Sequence, residues 1–390
     1  MRKICAHYIF PVVSGPLKNG ILHVDDEGRI TSVIDTRGKI KEESQLEFYD
    51  GIIVPGFINA HCHLELSHLK NKIPEGKGLP AFIQAIKNMR ETPEDVIREA
   101  IVAADREMYK KGIVAAGDIS NTPHSFPVKA NSPVVYHTFL EIFGLAENHT
   151  AVVIQHLNHL LTEAKKYQLR FSITPHSAYA LSYDLLKQLA SMIKEQQSPV
   201  SIHFLESEEE KILFTGKEGL LYEVLSATGN PHKKEKHPLD VFAGMPLQHS
   251  HCLFVHNTFA QASDIKKIRQ QIRHPFLVLC PRSNLYIENT LPPVQELMGH
   301  GIPLAIGTDS LASNHDLSVL EELKTLQALL PSLSLTELIP WATLNGAKAL
   351  NLDETMGSFE KGKKPGINLI RNIHYEKLQL TPSSTVERLI

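Results

Sequence analysis

From residue 52 onward, short apolar runs rich in β-branched residues alternate with amphipathic stretches of helical period, the pattern of repeated βα units around a parallel sheet. Eight such runs can be read: IIVPGFI from Ile52, IVAAG from Ile113, VVYHTFL from Val134, LRFSIT from Leu169, VSIHFL from Val200, CLFVH from Cys252, FLVLC from Phe276 and PLAIG from Pro303. The clearest helix between them is EDVIREAIVAADREMYKKG, where Val96, Ile97, Ala100, Ile101, Ala104 and Met108 share one face and Gly112 supplies the stop. Eight strands alternating with helices over residues 52–350 predict an α/β fold, a (β/α)8 TIM-type barrel.

Residues 1–51 and 351–390 fall outside that alternation, and both segments are β-rich. MRKICAHYIFPVV reads as a first strand: His7 and Pro11 interrupt it, and no small-residue cleavage site of a signal peptide follows. ILHVDDEGRITSVID carries a hairpin signal with its turn at Asp26 to Gly28, and GSFEKGKKPGINLI looks similar at the other end. Neither terminal segment is long enough to bury a core alone, so the two are expected to pair into one small β-sandwich beside the barrel.

The polar residues decide between a closed barrel and an open doubly wound sheet. His61 and His63 close the first run, Asp118 the second, Glu141 the third, His176 the fourth, His203 and Glu206 the fifth, His256 the sixth, Ser283 and Asn284 the seventh, and Asp309 the eighth. In a barrel these ends meet at one mouth, whereas an open sheet would spread them along an edge too long for a single site. No GxGxxG turn follows the first strand, which further disfavours a dinucleotide-binding sheet.

Composition narrows the class. A formal net charge of -3, 42% hydrophobic and 21% charged residues are ordinary for a globular protein, and no basic stripe marks a nucleic-acid partner. No apolar run approaches the roughly 20 residues of a membrane span. Cys5, Cys62, Cys252 and Cys280 show no CxxC spacing and read as reduced core thiols, which points to the cytoplasm. The expected partner is a small-molecule substrate, and a homodimer is the default assembly.

The run PGFINAHCH, from Pro55 to His63, narrows the chemistry furthest. On a strand His61 and His63 point one way and Cys62 the other, so two imidazoles converge, although 21 histidines in the chain make one His-x-His pair unsurprising. A barrel brings His203 and Asp309 to the same place, and three imidazoles with a carboxylate suit zinc or ferrous iron. A plain alternative for Asp309 is a helix cap, and for His203 a core histidine. A binuclear site bridged by a carboxylated lysine would need a lysine at an inward strand end, most often the fourth. That run ends in TPHSAYALS, with Lys165 and Lys166 on the preceding helical stretch. One divalent metal is therefore expected, zinc ahead of iron, with an open position for water.

PGFINAHCHLE, SIHFLESEEE, FVHNT, CPRSNLYI, IGTDSLASN, WATLNGAKAL and GSFEKGKKPGINLI together resemble the amidohydrolase superfamily, in the mononuclear branch of aromatic deaminases, over nearly the whole chain. The resemblance implies that His61, His63, His203 and Asp309 hold the metal. It also implies that Glu206 is the acid that shuttles a proton from water to the ring and on to ammonia. His256 would orient or polarise the attacking water, and Asp309 would accept its first proton. Glu208, Glu209 and Glu210 read as a surface acidic run that leaves Glu206 as the distinct member.

Substrate selection is expected from the strand-end loops. Glu65 is placed to bind ribose hydroxyls, unless it is an exposed loop carboxylate, and His176 matches a substrate-facing histidine of related deaminases. Ser283 and Asn284 are read as shaping their loop. Leu64 to Arg90, with Gly76, Gly78, Pro80 and an amphipathic FIQAIKNM, suits a lid. HCHLE and NHDLSVLEELK look similar to aminodeoxyfutalosine deaminases and to S-adenosylhomocysteine and methylthioadenosine deaminases, which favours an adenosine derivative. Guanine or cytosine deamination and triazine dechlorination remain alternatives, and a scaffold that has lost its metal is disfavoured because every ligand is present. Cyclic-amide hydrolysis of the dihydroorotase kind is disfavoured by the missing lysine.

Overall fold

The computed structural model describes residues 1–40, 44–89, 92–196, 198–216, 218–229 and 235–390. Their strands are β1 (Arg2–Ile9), β2 (Leu17–Lys18), β3 (Ile21–Val24), β4 (Ile30–Ile34), β5 (Leu46–Pro55), β6 (Phe57–Cys62), β7 (Ile113–Ser120), β8 (Val135–Ile142), β9 (Arg170–Pro175), β10 (Val200–Phe204), β11 (His251–His256), β12 (His274–Leu279), β13 (Leu304–Ile306), β14 (Ile367–Arg371) and β15 (Thr385–Arg388).

The barrel consists of two parallel four-stranded sheets, β6-β7-β8-β9 and β10-β11-β12-β13, joined edge to edge at two seams. At one seam Ser177 bridges His203, with His203 N donating to His176 O at 2.9 Å. At the other Cys62 bridges Asp309, and Thr308 N and Asp309 N both donate to His61 O at 3.0 and 3.1 Å. Each predicted run from the second to the eighth contains one barrel strand, and helices cover the outside. Helix Glu94–Lys110 buries Ile97, Ile101, Ala104 and Met108 as its pattern predicts. Val96, expected on the same face, is 42% exposed because it lies in the first turn, beyond the edge of the apolar stripe. Gly112 ends the unit at φ +81, a conformation that favours glycine.

The first predicted run divides into two elements. Ile52, Ile53, Val54 and Pro55 pair with β14 in the terminal sheet, and the barrel strand starts only at Phe57. The hinge is Gly56, where an added Cβ would lie 2.2 Å from Val114 Cγ1 and 2.7 Å from Pro365 O. Apolar character is continuous across this point, so the periodicity gives no sign of the change of sheet.

Strands from the two termini join one seven-stranded sheet, ordered β15-β14-β5-β1-β3-β4 with β2 on β1. The turn at Asp26 to Gly28 links β3 and β4 as read, with Gly28 N donating to Asp25 O at 3.1 Å. GSFEKGKKPGINLI forms no hairpin by itself: its strand β14 pairs with β15 further along the chain and with β5. The Lys-rich part instead folds against β4, where Ile30 N donates to Lys363 O at 2.9 Å. Ile4, Leu22, Ile53 and Leu369 share a core of their own, apart from the barrel's. All four cysteines are buried and free. Among the described residues no helix is long and apolar enough to cross a membrane.

Gly56→Ala is expected to destabilise the protein by about 1–3 kcal/mol, since neither Val114 nor the Pro365 carbonyl can retreat cheaply. Denaturant unfolding of the two proteins measures the difference.

Candidate metal centre and active site

The HCH pair reaches the barrel mouth through an irregular strand. Ile58 and Ala60 pack in the barrel's inner cluster, whereas Cys62 packs in the outer one. A register shift against β7 between Asn59 and Cys62 reverses the alternation, so that His61 and His63 follow Ala60 on the inner side. His61 Nε2 and His63 Nε2 lie 3.1 Å apart, and Asp309 Oδ1 is 3.8 and 3.4 Å from them. Ligand atoms of His61, His63 and His203 lie within 4.8 Å of one another, as do those of His61, His256 and Asp309. The structure therefore brings together all four sequence-predicted ligands, with His256 beside them.

Protonation states fit a metal. Burial, and then neighbouring histidines, push His61 well below the ordinary imidazole range, and burial does the same for His203. Neutral imidazoles whose ring nitrogens face one point are the form that binds a cation. Burial would raise Asp309, but His63, His256 and the hydroxyls of Ser283 and Ser313 more than offset it and hold the carboxylate low. Both hydroxyls donate to Asp309 Oδ2 at 2.6 Å, leaving Oδ1 toward the histidines. Ser283 thus braces a ligand, a closer role than loop shaping.

Further partners orient the histidines. His61 Nδ1 lies 3.4 Å from Ser201 Oγ. His203 Nδ1 lies 3.1 Å from the His176 carbonyl and 3.4 Å from Glu141 Oε1, which directs Nε2 to the centre. Glu141 Oε1 also lies 2.9 Å from His176 Nδ1. Burial opposes an imidazolium at His176, but Glu141 more than compensates and raises its pKa. The remaining edge of His176 is part-exposed at 23% and lies near the ring of Phe143, at 6.0 Å.

Glu206 and His256 form the second half of the site, with Oε1 and Nε2 3.6 Å apart. Burial, reinforced by Asp309 and Glu210, pushes Glu206 well above the usual carboxylate range, and burial takes His256 down to about 4. A carboxyl whose acid form is favoured, beside a neutral imidazole, is suited to carrying a proton. His256, Asp309 and Leu205, the residue before Glu206, all adopt positive φ, at 75°, 54° and 47°. Strain of this kind persists only where surrounding structure enforces it.

Glu65 is placed differently from expectation. It is buried, and its Oε2 accepts hydrogen bonds from Asn121 N, Thr122 N and Thr122 Oγ1 at 2.9–3.0 Å. That oxygen fastens the HCHLE turn to the end of β7, which leaves Oε1 alone for a ligand. Asp118 works alongside: Oδ1 accepts Leu64 N at 2.7 Å, and Oδ2 is ion-paired to Lys129, both side chains fully buried. The expected lid segment is anchored to the next wall, with Gly76 N and Gly78 N donating to Tyr286 O and Ile287 O at 2.7 and 2.9 Å. Its FIQAIKNM lies on helix Leu79–Asn88, and Arg90, its last residue, lies outside the described residues.

A profile of the amidohydrolase family matches residues 52–386. The chain belongs to the amidohydrolase family. It is 28% identical over 333 residues to an adenosine deaminase of Helicobacter pylori, covering 83% of this chain and 79% of that one. It is 27% identical over 332 residues to an aminodeoxyfutalosine deaminase of Nitratiruptor, covering 82% and 79%. The fold is that of the Helicobacter pylori aminofutalosine deaminase solved with methylthio-coformycin, at a TM-score of 0.80, 24% identity and full coverage of both chains. It is also that of the zinc-complexed atrazine chlorohydrolase of Arthrobacter aurescens, at 0.73 and 17%, covering 95% and 87%.

Four residues of this amidohydrolase site escaped sequence reasoning as functional. Lys129 and Ser313 sit in helical or loop stretches with no periodic signal, Glu141 closes a strand without revealing a partner, and Glu210 hides in an acidic run. Lys129→Met should destabilise the amidohydrolase by about 3–5 kcal/mol, because Asp118 is left as an unpaired buried charge. Asp118→Asn combined with Lys129→Met should lose clearly less, which denaturant unfolding of the four proteins of the cycle would measure.

Proposed function

We propose that this amidohydrolase is a zinc-dependent deaminase that hydrolyses the exocyclic amine of an aminated purine, an adenosine derivative of the aminodeoxyfutalosine, S-adenosylhomocysteine or methylthioadenosine kind. A hydrolase acting on a carbon–nitrogen bond agrees with the deaminase names of its relatives. One observation carries the reading furthest: Glu206, its carboxyl pushed well above the usual range by burial, stands 3.6 Å from His256 and beside buried histidines and an Asp309 carboxylate held low. A metal ion held there would supply Lewis acidity and bring the pKa of its water to about 7.

His61, His63, His203 and Asp309 would hold one such ion per chain, since their donor atoms converge and burial favours the neutral form of His61 and His203. Asp309, kept ionised by Ser283 and Ser313, takes the first proton from the attacking water. His256, deprived of its own charge by burial, orients that water. Glu206 delivers a proton to the ring nitrogen next to the carbon under attack, so that negative charge does not build up there. It then takes the remaining water proton from the hydroxyl now on that carbon, as the carbonyl forms, and passes it to the departing ammonia. The proton held by Asp309 restores the acid form of Glu206. His176, its Nδ1 side held by Glu141, contacts the substrate through its open edge, and Glu65 reaches it through Oε1.

Glu206→Gln is expected to keep one metal ion per chain while turnover falls about 10²–10⁴-fold, the usual share of a general acid–base group. Elemental analysis and ammonia release read the two quantities separately, and equal loss of both would remove the role given to Glu206. An ammonia-release screen of the zinc-loaded protein against adenosine, methylthioadenosine, S-adenosylhomocysteine, aminodeoxyfutalosine, guanine, cytosine and aminated triazines assigns the substrate. Absence of ammonia from every one of them, with metal confirmed, would overturn deamination.

A further inference from the structure

We propose that Glu210 is the positioning residue for Glu206, holding the bend that presents the catalytic carboxyl through a hydrogen bond to its backbone amide. This inference rests on the reading of Glu206 as proton carrier. β10 ends at Phe204, Leu205 turns into the left-handed region at φ 47°, and helix Glu208–Thr215 follows immediately. A leucine is costly in that conformation, so something outside Leu205 must enforce it. Two contacts come from the neighbouring strand's end: Asn257 N donates to Phe204 O and Phe259 N to Leu205 O, at 3.0 and 2.9 Å. The third is Glu210, whose Oε2 accepts Glu206 N at 3.1 Å.

Helix capping does not account for that bond. Ser207 already caps the helix, its Oγ accepting Glu210 N at 3.1 Å. In a capping box the third-position glutamate would return to the amide of the cap residue itself, here Ser207. Glu210 reaches one residue further, to Glu206. Burial is also at odds with a surface role: Glu210 is fully buried while Glu208, in the same run, is exposed. Burial pushes the Glu210 carboxyl up to about 7. Its other oxygen, Oε1, has no hydrogen-bond partner among the described residues. A carboxyl kept inside at that cost, with one oxygen on the catalytic residue's amide, has its use in the geometry of Glu206.

The test compares Glu210→Ala, Glu210→Gln and Glu206→Gln as zinc-loaded proteins with methylthioadenosine and adenosine as substrates. Glutamine retains an acceptor for Glu206 N, and its other end replaces an oxygen that has no partner. Glu210→Ala should keep its metal and its KM within about threefold while kcat falls roughly ten- to hundredfold, the rate equivalent of one buried hydrogen bond. Glu210→Gln should recover most of that loss. Hydrogen–deuterium exchange across residues 204–210 should rise in Glu210→Ala and stay near wild type in Glu210→Gln, a readout independent of turnover. Wild-type kcat in Glu210→Ala, loss of metal together with activity, or equal damage in both Glu210 variants would each overturn the inference. Unimpaired turnover in Glu206→Gln would instead overturn the reading of Glu206, and this inference with it. A dead Glu206→Gln beside a fully active Glu210→Ala would leave that reading standing and sink this inference alone.

Discussion

The site depends on how the barrel is closed. Two four-stranded sheets meet at seams made by short backbone contacts, His61 with Thr308 and Asp309 on one side and His176 with His203 on the other. Three of the four proposed ligands are therefore seam residues whose main chains are hydrogen-bonded across the joint. The fourth, His63, lies two residues past a seam, on a turn pinned by Asp118 to Leu64 N. Closing the barrel and assembling the donor set are one event. Gly307 shows how tight the joint is, since a Cβ there would meet His61 O at 2.9 Å and Cys280 Sγ at 2.8 Å.

Around that joint, buried charge is matched in one half and left unmatched in the other. Lys129 neutralises Asp118, and His176, whose charged form Glu141 favours, offsets Glu141. These pairs fix the β6 to β9 side, including the turn that carries His63 and Glu65. On the β10 to β11 side no such pairing offsets the burial of Glu206 and Glu210, and burial raises both of them even though His176 draws Glu210 partly back. An isolated carboxylate in a low-dielectric interior is expensive, so these two groups hold protons more readily than carboxyls in water. The asymmetry is what the proposed chemistry needs, with paired, rigid groups beside the proposed cation site and proton-favouring carboxyls where protons are proposed to move.

Much of this was legible in the chain. Period-2 and helical patterns locate the barrel strands, and the habit of each run to end in a histidine or acid points to a common mouth, because strand ends converge only in a closed barrel. What was not legible has physical reasons. Gly56 separates two sheets within one apolar run, since burial on both sides looks alike from either sheet. The bulge that turns His61 inward is a register feature that hydrophobicity does not record. The exposed-loop alternative for Glu65 fails because the residue is buried, with Thr122 and Asn121 filling one of its oxygens, a contact between loops that the sequence does not record. Glu210 reads as surface because three acids in a row usually are. Only the turn of the helix shows that the third points inward.

Two carboxyls at the mouth have opposite environments, which supports the proposed division of labour between them. Asp309 receives two serine hydroxyls on Oδ2 and faces histidines with Oδ1, and each of those contacts favours its ionised form. Glu206 is buried and lies 3.6 Å from a histidine that burial keeps neutral, with the Asp309 carboxylate as a like-charged neighbour, and each of those surroundings favours its protonated form. Acid and base assignments follow from such opposed shifts, because a group must hold the proton before it can deliver it and lack one before it can accept it. Exchanging the two roles would require Asp309 to hold a proton against two hydroxyl donors, and Glu206 to ionise against its burial and the neighbouring Asp309 carboxylate. The surroundings of both residues oppose that exchange, so the proposed direction of proton flow follows from the same strand ends that close the barrel.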